Sequence, residues 1–285
     1  MKVSVLIPAY NYAAGIARVL ETFNDPAAIF EIIIFDDSST LDVRRTVDAV
    51  PDDSRNIIYQ NNIELYGNPM GAPSNWNALM DAARGEYVIL MHHDEYPYDS
   101  SFYDKVAEAI ACNPHADIFL LGLQLTDPNT NPLPIHAPYW IRYLTSTRFP
   151  GYLFRRNVIG PTASLIIRRA VAPRFSIHLI WLIDVEFYFN LFSSNHNVIA
   201  CPNILIGSVQ GEHESITKLL SEDIDRIERQ EMQHLAKVVP RRTIWLSSIA
   251  SRFLRAIETI PWLMWRAFSR GHYSITILFG KFWTR

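Results

Sequence analysis

Glu86-Tyr87-Val88-Ile89-Leu90-Met91-His92-His93-Asp94-Glu95 is the most informative stretch of this chain. Its unbroken apolar run reads as a strand buried on both faces, as in a parallel sheet. The run ends in imidazole and carboxylate side chains. That places nitrogen and oxygen ligands at the rim of a sheet, where they can hold a hard divalent cation against a phosphate. Val3–Asn11 (VSVLIPAYN) is a first strand running into a polar loop, and Ile32–Thr40 (IIIFDDSST) a second strand ending in paired carboxylates. Open α/β sheets bind ligands in the crevice at the carboxyl ends of their strands, so three such ends define a site.

The neighbouring sequence extends this pattern. Val-, Ile-, Phe- and Tyr-rich runs predict strands at 3–9, 30–36, 56–60, 86–91 and 116–121. Helix patterns near 13–24, 41–50, 74–84 and 100–112 lie between them. Asp42 and Ser100–Ser101 suit helix starts, and Asn24-Asp25-Pro26 and Asn113-Pro114 suit stops. The alternation predicts an α/β fold with a mostly parallel sheet covered on both faces. From 122 to 157 the pattern breaks into a proline-rich loop followed by Tyr139, Trp140 and Tyr143. These rings are placed either to stack on a sugar or to pack beneath the loop; a connection this long favours function. A strand at 162–168, a helix at 184–194, a strand at 197–201 and a polar helix at 218–237 follow.

The 285 residues carry 26 Lys and Arg against 29 Asp and Glu, a net charge of −3 that argues against nucleic-acid binding through overall charge. Cys112 and Cys201 read as reduced, buried thiols of a cytoplasmic protein. Lys2 followed at once by a strand pattern leaves no secretory apolar segment, and no run of about 18 uncharged apolar residues predicts a membrane-spanning helix. Charge is uneven, however. Residues 240–285 hold eight basic residues, one acidic residue and four of the seven tryptophans, leaving +7 on the tail and −10 on residues 1–239. The expected division is an enzyme domain at 1–239, with halves at 1–121 and 122–239, and a basic helical tail at 240–285. Trp245, Ile249, Phe253, Ile257, Ile260, Met264 and Phe268 recur at helical spacing, which predicts one apolar face. Such a face suits either self-association or peripheral contact with the inner face of a membrane.

Individual residues carry distinct expectations. Asp36 or Asp37 can accept a hydrogen bond from a nucleobase or ribose, or cap the helix near Leu41. Asp94 is the leading metal ligand. His92, two positions earlier on an extended segment, shares its side, and His93 faces away. Asp184 suits a helix N-cap or a general base, and Glu186 points elsewhere around the helix. His213, in a glycine-flanked loop with nearby hydroxyls, suits phosphate contact.

These motifs, with Asn75-Trp76-Asn77, Ala83–Val88, Gly160-Pro161, Asp184-Val185-Glu186 and His213-Glu214-Ser215-Ile216-Thr217, resemble glycosyltransferase family 2 over about residues 1–220. The resemblance implies a GT-A fold and inverting transfer of a sugar from a nucleoside-diphosphate donor to a hydroxyl, on a glycan or lipid-linked acceptor in cell-surface polysaccharide synthesis. It implies that Pro8, Ala9, Tyr10, Asn11, Asp36 and Asp37 hold the nucleoside, and that Asn75, Asn77, His93, Asp94 and Gly160 contribute to the donor site. Asp94, with His92 and His213, would hold Mg²⁺ or Mn²⁺ on the diphosphate, and Asp184 would be the base. The family's Asp-x-Asp begins here with His92 and is followed by Glu95. A nucleotide-dependent oxidoreductase would need Gly-x-Gly-x-x-Gly after the first strand, where this chain has Ala9–Gly15 (AYNYAAG). A non-catalytic sugar-nucleotide or glycan-binding module is the alternative from another class.

Overall fold

The computed structural model describes residues 2–23, 28–50, 56–211 and 223–239. Within them the chain forms β1 (Val3–Ala9), α1 (Ala13–Thr22), β2 (Phe30–Asp36), α2 (Asp42–Asp48), β3 (Ile57–Asn61), α3 (Asn62–Tyr66), α4 (Ala72–Ala82), β4 (Tyr87–Leu90), β5 (Glu95–Pro97) and α5 (Phe102–Cys112). There follow β6 (Ile118–Thr126), α6 (Tyr139–Thr147), β7 (Leu165–Arg168), α7 (Ile183–Ser193), β8 (Val198–Val209) and α8 (Ile224–Val238). His213 and the tail from 240 lie outside the described residues, and no helix among those described is long and apolar enough to cross a membrane.

The strands form one sheet in the order β3-β2-β1-β4-β7-β6-β8-β5. β1 to β4 run parallel, β6 and β8 share their direction, and only β7 and β5 run against it. β1 and β2 are buried at every position, which explains their continuous apolar sequence. One core cluster lies on each face. Leu6, Ile33, Val88 and Leu120 point to α4 and α7, and Val5, Ile32, Ile89 and Phe119 point to α1 and α5.

β4 and β5 are joined by four residues yet stand four places apart in the sheet. A flat sheet would put them about 19 Å apart at about 4.8 Å per strand, roughly the full stretch of such a link. The link is not stretched, since Glu95 N–H donates to His92 O at 3.0 Å. The sheet therefore curls, and residues 91–94 form a chord across the curl.

The segment 122–157 is more ordered than its sequence predicts. β6 continues to Thr126, Asp127 ties a tight turn through Asn131, and α6 and a 3-10 turn at Pro150–Phe154 fill the rest. Tyr139 is spent on packing: its hydroxyl donates to Leu120 O at 2.6 Å and accepts from Cys201 N–H at 2.9 Å, while Trp140 rests on the core. The expectation that these rings serve a sugar is corrected for Tyr139 and Trp140, whereas Tyr143 stays 37% exposed. Cys112 is free but exposed rather than buried, because Phe102, Val106 and Ile110 define the inner face of α5 and residue 112 falls opposite. Cys201 is free and half-buried.

Candidate active site

The strand ends predicted to hold the nucleoside do lie side by side. Ala9 registers with Asp36, and Asp37 N–H donates to Ala9 O at 3.0 Å. Pro8 and Ala9 are buried within β1, while Tyr10 is 42% exposed and Asn11 follows with a left-handed φ of 48°, its N–H donating to Ser38 Oγ at 2.7 Å. Neither aspartate caps α2, whose N-cap is Leu41. Asp36 accepts from Ser38 N–H at 2.8 Å and from the Tyr59 hydroxyl at 2.7 Å. Burial, and then the Asp36 carboxylate, push the Tyr59 hydroxyl well above its ordinary range. Asp37 accepts from Asn62 Nδ2 at 2.8 Å and from the N–H groups of Met70 and Gly71 at 2.9 and 3.0 Å. Both acids thus hold neighbouring loops in place.

Of the two asparagines of α4, Asn77 departs from expectation. Asn77 clamps the backbone of Phe175, donating to its carbonyl at 2.8 Å and accepting from its N–H at 2.9 Å. Its amide therefore pins the 175 segment instead of facing a donor. Asn75 is buried and donates to Phe35 O at 3.1 Å, and its Oδ1 has no partner among the described residues.

The chord is where chemistry converges. It is a turn rather than an extended segment, because Glu95 takes both the His92 N–H at 2.9 Å and the His92 ring at 3.1 Å. His92, His93, Asp94 and Glu95 line a cavity of about 560 Å³, so His93 is not turned away as predicted. Ligand atoms of His92, Asp94 and Glu95 all lie within 4.8 Å of one another. His92 Nε2 is buried without a partner among the described residues. Burial disfavours its charged form, but the carboxylates of Glu95, Asp94 and Asp184 prevail and raise its pKa. His93 packs against Tyr12, and burial, aided by His92, lowers its pKa to about 4. α1 approaches this turn so closely that a Cβ on Gly15 would stand 1.9 Å from His93 O.

Asp184 lines the same cavity from the first turn of α7. It is not the N-cap, a position taken by Leu182, but a carboxylate there is still favoured by the helix dipole. Its oxygens accept from Val185 N–H at 2.8 Å and Asn157 Nδ2 at 2.5 Å. Burial nevertheless pushes its pKa up to about 6. Glu186 faces Ser176, His178 and His234, away from the cavity, as its spacing predicts. Trp76 and Trp181 are the tryptophans of the cavity wall.

Gly160 lies behind the wall. It adopts φ +89°, its N–H is given to Asn157 Oδ1, and its carbonyl accepts from the Tyr188 hydroxyl at 2.9 Å. A Cβ would meet Leu123 at 2.7 Å, so the position needs glycine for shape and offers no polar group to a donor. Asn157, His136 and Glu231 were missed by sequence reasoning. Each acts through contacts distant in the chain, and no local spacing marks them.

The chain belongs to glycosyl transferase family 2, whose family model matches residues 4–174. The match stops short of Asp184, and so covers less than the resemblance over 1–220 implied. Solved structures similar to it include those of S. aureus TarS. S. aureus TarS 1–349 in complex with UDP-GlcNAc has a TM-score of 0.58 at 19% identity, covering 76% of this chain and 61% of that one. The same protein in complex with UDP has a TM-score of 0.56 at 19% identity over 73% and 60%, and a further S. aureus TarS structure 0.56 at 19% over 83% and 42%. The chain thus spans about three-fifths of the TarS 1–349 structures it matches, and these likenesses establish the GT-A fold. No curated protein matches.

Proposed function

We propose that this protein transfers a sugar, with inversion, from a nucleoside-diphosphate donor to a hydroxyl of a glycan or lipid-linked acceptor. The observation that carries the reading is one cavity in which Asp184 faces His92 and Asp94. A half-buried carboxylate held on a cavity wall and fixed by Asn157 is suited to take a proton from an acceptor hydroxyl. The exposed Tyr10–Asn11 loop and residues 39–41, beside the adjoining strand ends, are the place for the nucleoside.

The donor set fits a hard cation. Asp94 supplies the carboxylate and His92 the uncommitted Nε2, while both Glu95 oxygens are engaged by His92 itself. A bound Mg²⁺ or Mn²⁺ would neutralise the leaving diphosphate. The chain's own contributions are to hold Asp184 ionised, to keep His92 oriented through Glu95, and to exclude water with Trp76 and Trp181. Asp184 takes the acceptor proton on its carboxylate as the acceptor oxygen displaces the diphosphate at the anomeric carbon.

The basic tail is assigned to peripheral contact with the cytoplasmic face of a membrane that presents a lipid-linked acceptor, in cell-surface polysaccharide synthesis. The activity is tested with a panel of UDP-, GDP- and dTDP-sugars, scoring release of nucleoside diphosphate with Mn²⁺ and with EDTA. Binding of a sugar nucleotide without any turnover would favour the non-catalytic module instead. Flotation of the full-length protein and of a 1–239 truncation with anionic vesicles tests the tail; a soluble full-length protein overturns that assignment.

A further inference from the structure

Ile180, Trp181 and Leu182 lead into α7 without one side-chain acceptor among them, and the Leu182 N-cap makes no side-chain cap. A helix start of this kind leaves backbone N–H groups in need of an acceptor. Glu231 supplies it from α8. The residue is 7% exposed, and its carboxylate accepts from Ile180 N–H at 2.6 Å, from Trp181 N–H at 3.1 Å and from Leu182 N–H at 2.7 Å. Three successive N–H groups converging on one anion form a small anion nest, here filled from within the chain. The residues so held, with Ile183 and Asp184 after them, line the cavity, whereas Glu231 does not. The family match ends at residue 174, before either partner of this contact.

We propose that Glu231 is a positioning residue for sugar transfer: by chelating the 180–182 backbone it fixes both the Trp181 wall and the start of α7, from which Asp184 reaches the cavity. This rests on the reading of Asp184 as the base. Glu231 touches no reacting atom. Its effect passes through the backbone, and a displacement of about 1 Å at a catalytic group can cost about a hundredfold in rate.

The test uses the full-length protein with Glu231→Gln, which keeps the shape but turns an amide N–H₂ toward backbone donors. Glu231→Asp, which keeps the charge one methylene short, serves as the second variant. Three quantities are read: kcat for nucleoside-diphosphate release from the sugar nucleotide that wild type turns over, Kd for the matching free diphosphate with Mn²⁺, and amide exchange at 180–185. The expected result for Glu231→Gln is a kcat at least about tenfold lower, Kd unchanged within about twofold, and faster exchange confined to 180–185. Glu231→Asp should fall between it and wild type in kcat with the same Kd, and carries the test if the Gln variant does not fold. An unchanged kcat overturns the proposal. So does a joint loss of Kd and kcat with exchange accelerated throughout, which would mark Glu231 as a general stability residue. Wild-type protein that turns over no sugar nucleotide would instead overturn the transferase reading, and this inference with it.

Discussion

Asn157 Nδ2 donates to Asp184 Oδ2 at 2.5 Å, and the side-chain oxygen and backbone carbonyl of Asn157 are both engaged as well. Its Oδ1 accepts from Ile159 and Gly160 N–H at 3.1 Å each, which prevents the amide from flipping. Its carbonyl accepts from the His136 ring at 2.8 Å. An amide N–H₂ has no lone pair to offer, so it favours the ionised carboxylate against the burial that raises it to about 6. Replacing Asn157 with Ala should therefore move the acid limb of kcat/KM upward by about one pH unit, the size of one hydrogen bond to a charged group. A pH–rate profile superimposable on wild type would break the link between the two residues.

Asp184→Asn should abolish turnover while leaving nucleotide binding close to wild type, as measured by product release and calorimetry. It should also reverse a stability trend. The native carboxyl binds its proton more tightly than the unfolded one, about 6 against 3.8, so its contribution is complete below about pH 4 and is lost as pH rises through 6. The melting midpoint of the variant should gain on wild type between pH 4 and 7. A constant difference across that range would mean that Asp184 is not perturbed.

Asp94→Ala should remove Mn²⁺-dependent binding of the donor, and His92→Ala should weaken it less, since a carboxylate suits a hard cation better than imidazole does. Calorimetry with Mn²⁺ and with EDTA checks this. Equal wild-type affinity in the two conditions would indicate a metal-independent enzyme in which His92, with its raised pKa, donates to a phosphate oxygen.

Gly15→Ala should destabilise the protein, although the same change in an ordinary helix stabilises it by about 1 kcal/mol. The new methyl group would collide with His93 O, and overpacking of this kind costs about 1–3 kcal/mol. Urea unfolding gives the sign, and a more stable variant would show that α1 can slide away from the chord.

Asp37→Ala strips an acceptor from Asn62, Met70 and Gly71 at a position only 6% exposed. Leaving buried donors unsatisfied should cost about 2–4 kcal/mol of stability. Thermal unfolding measures it, and a loss under about 0.5 kcal/mol would show that water replaces the carboxylate.

The buried parallel strands were plain in the sequence because residues covered on both faces must be apolar, so β1, β2 and β4 appear as unbroken runs. β5 did not, since three residues with charge and proline at its ends have no period to read. α6 was hidden by the proline-rich turn before it. At the site, the residues of the chord and Asp184 announced themselves by placing charge beside apolar runs. Asn77 and Gly160 carried motif positions, but their polar groups are absorbed by Phe175 and Asn157, a pairing that only tertiary contact creates. Glu231 looked like one more acid on a polar helix, because its partners are backbone groups of an apolar segment.

The chord between β4 and β5 has a consequence in time. β5 can be completed only by pairing Glu95 and Tyr96 with Ser208 and Gly207 of β8. Contacts so distant along the chain are slow to close. A nascent chain can pair β1 through β4 while His92 and Asp94 still have no second anchor. The cluster of His92, Asp94 and Glu95 should thus consolidate late in folding.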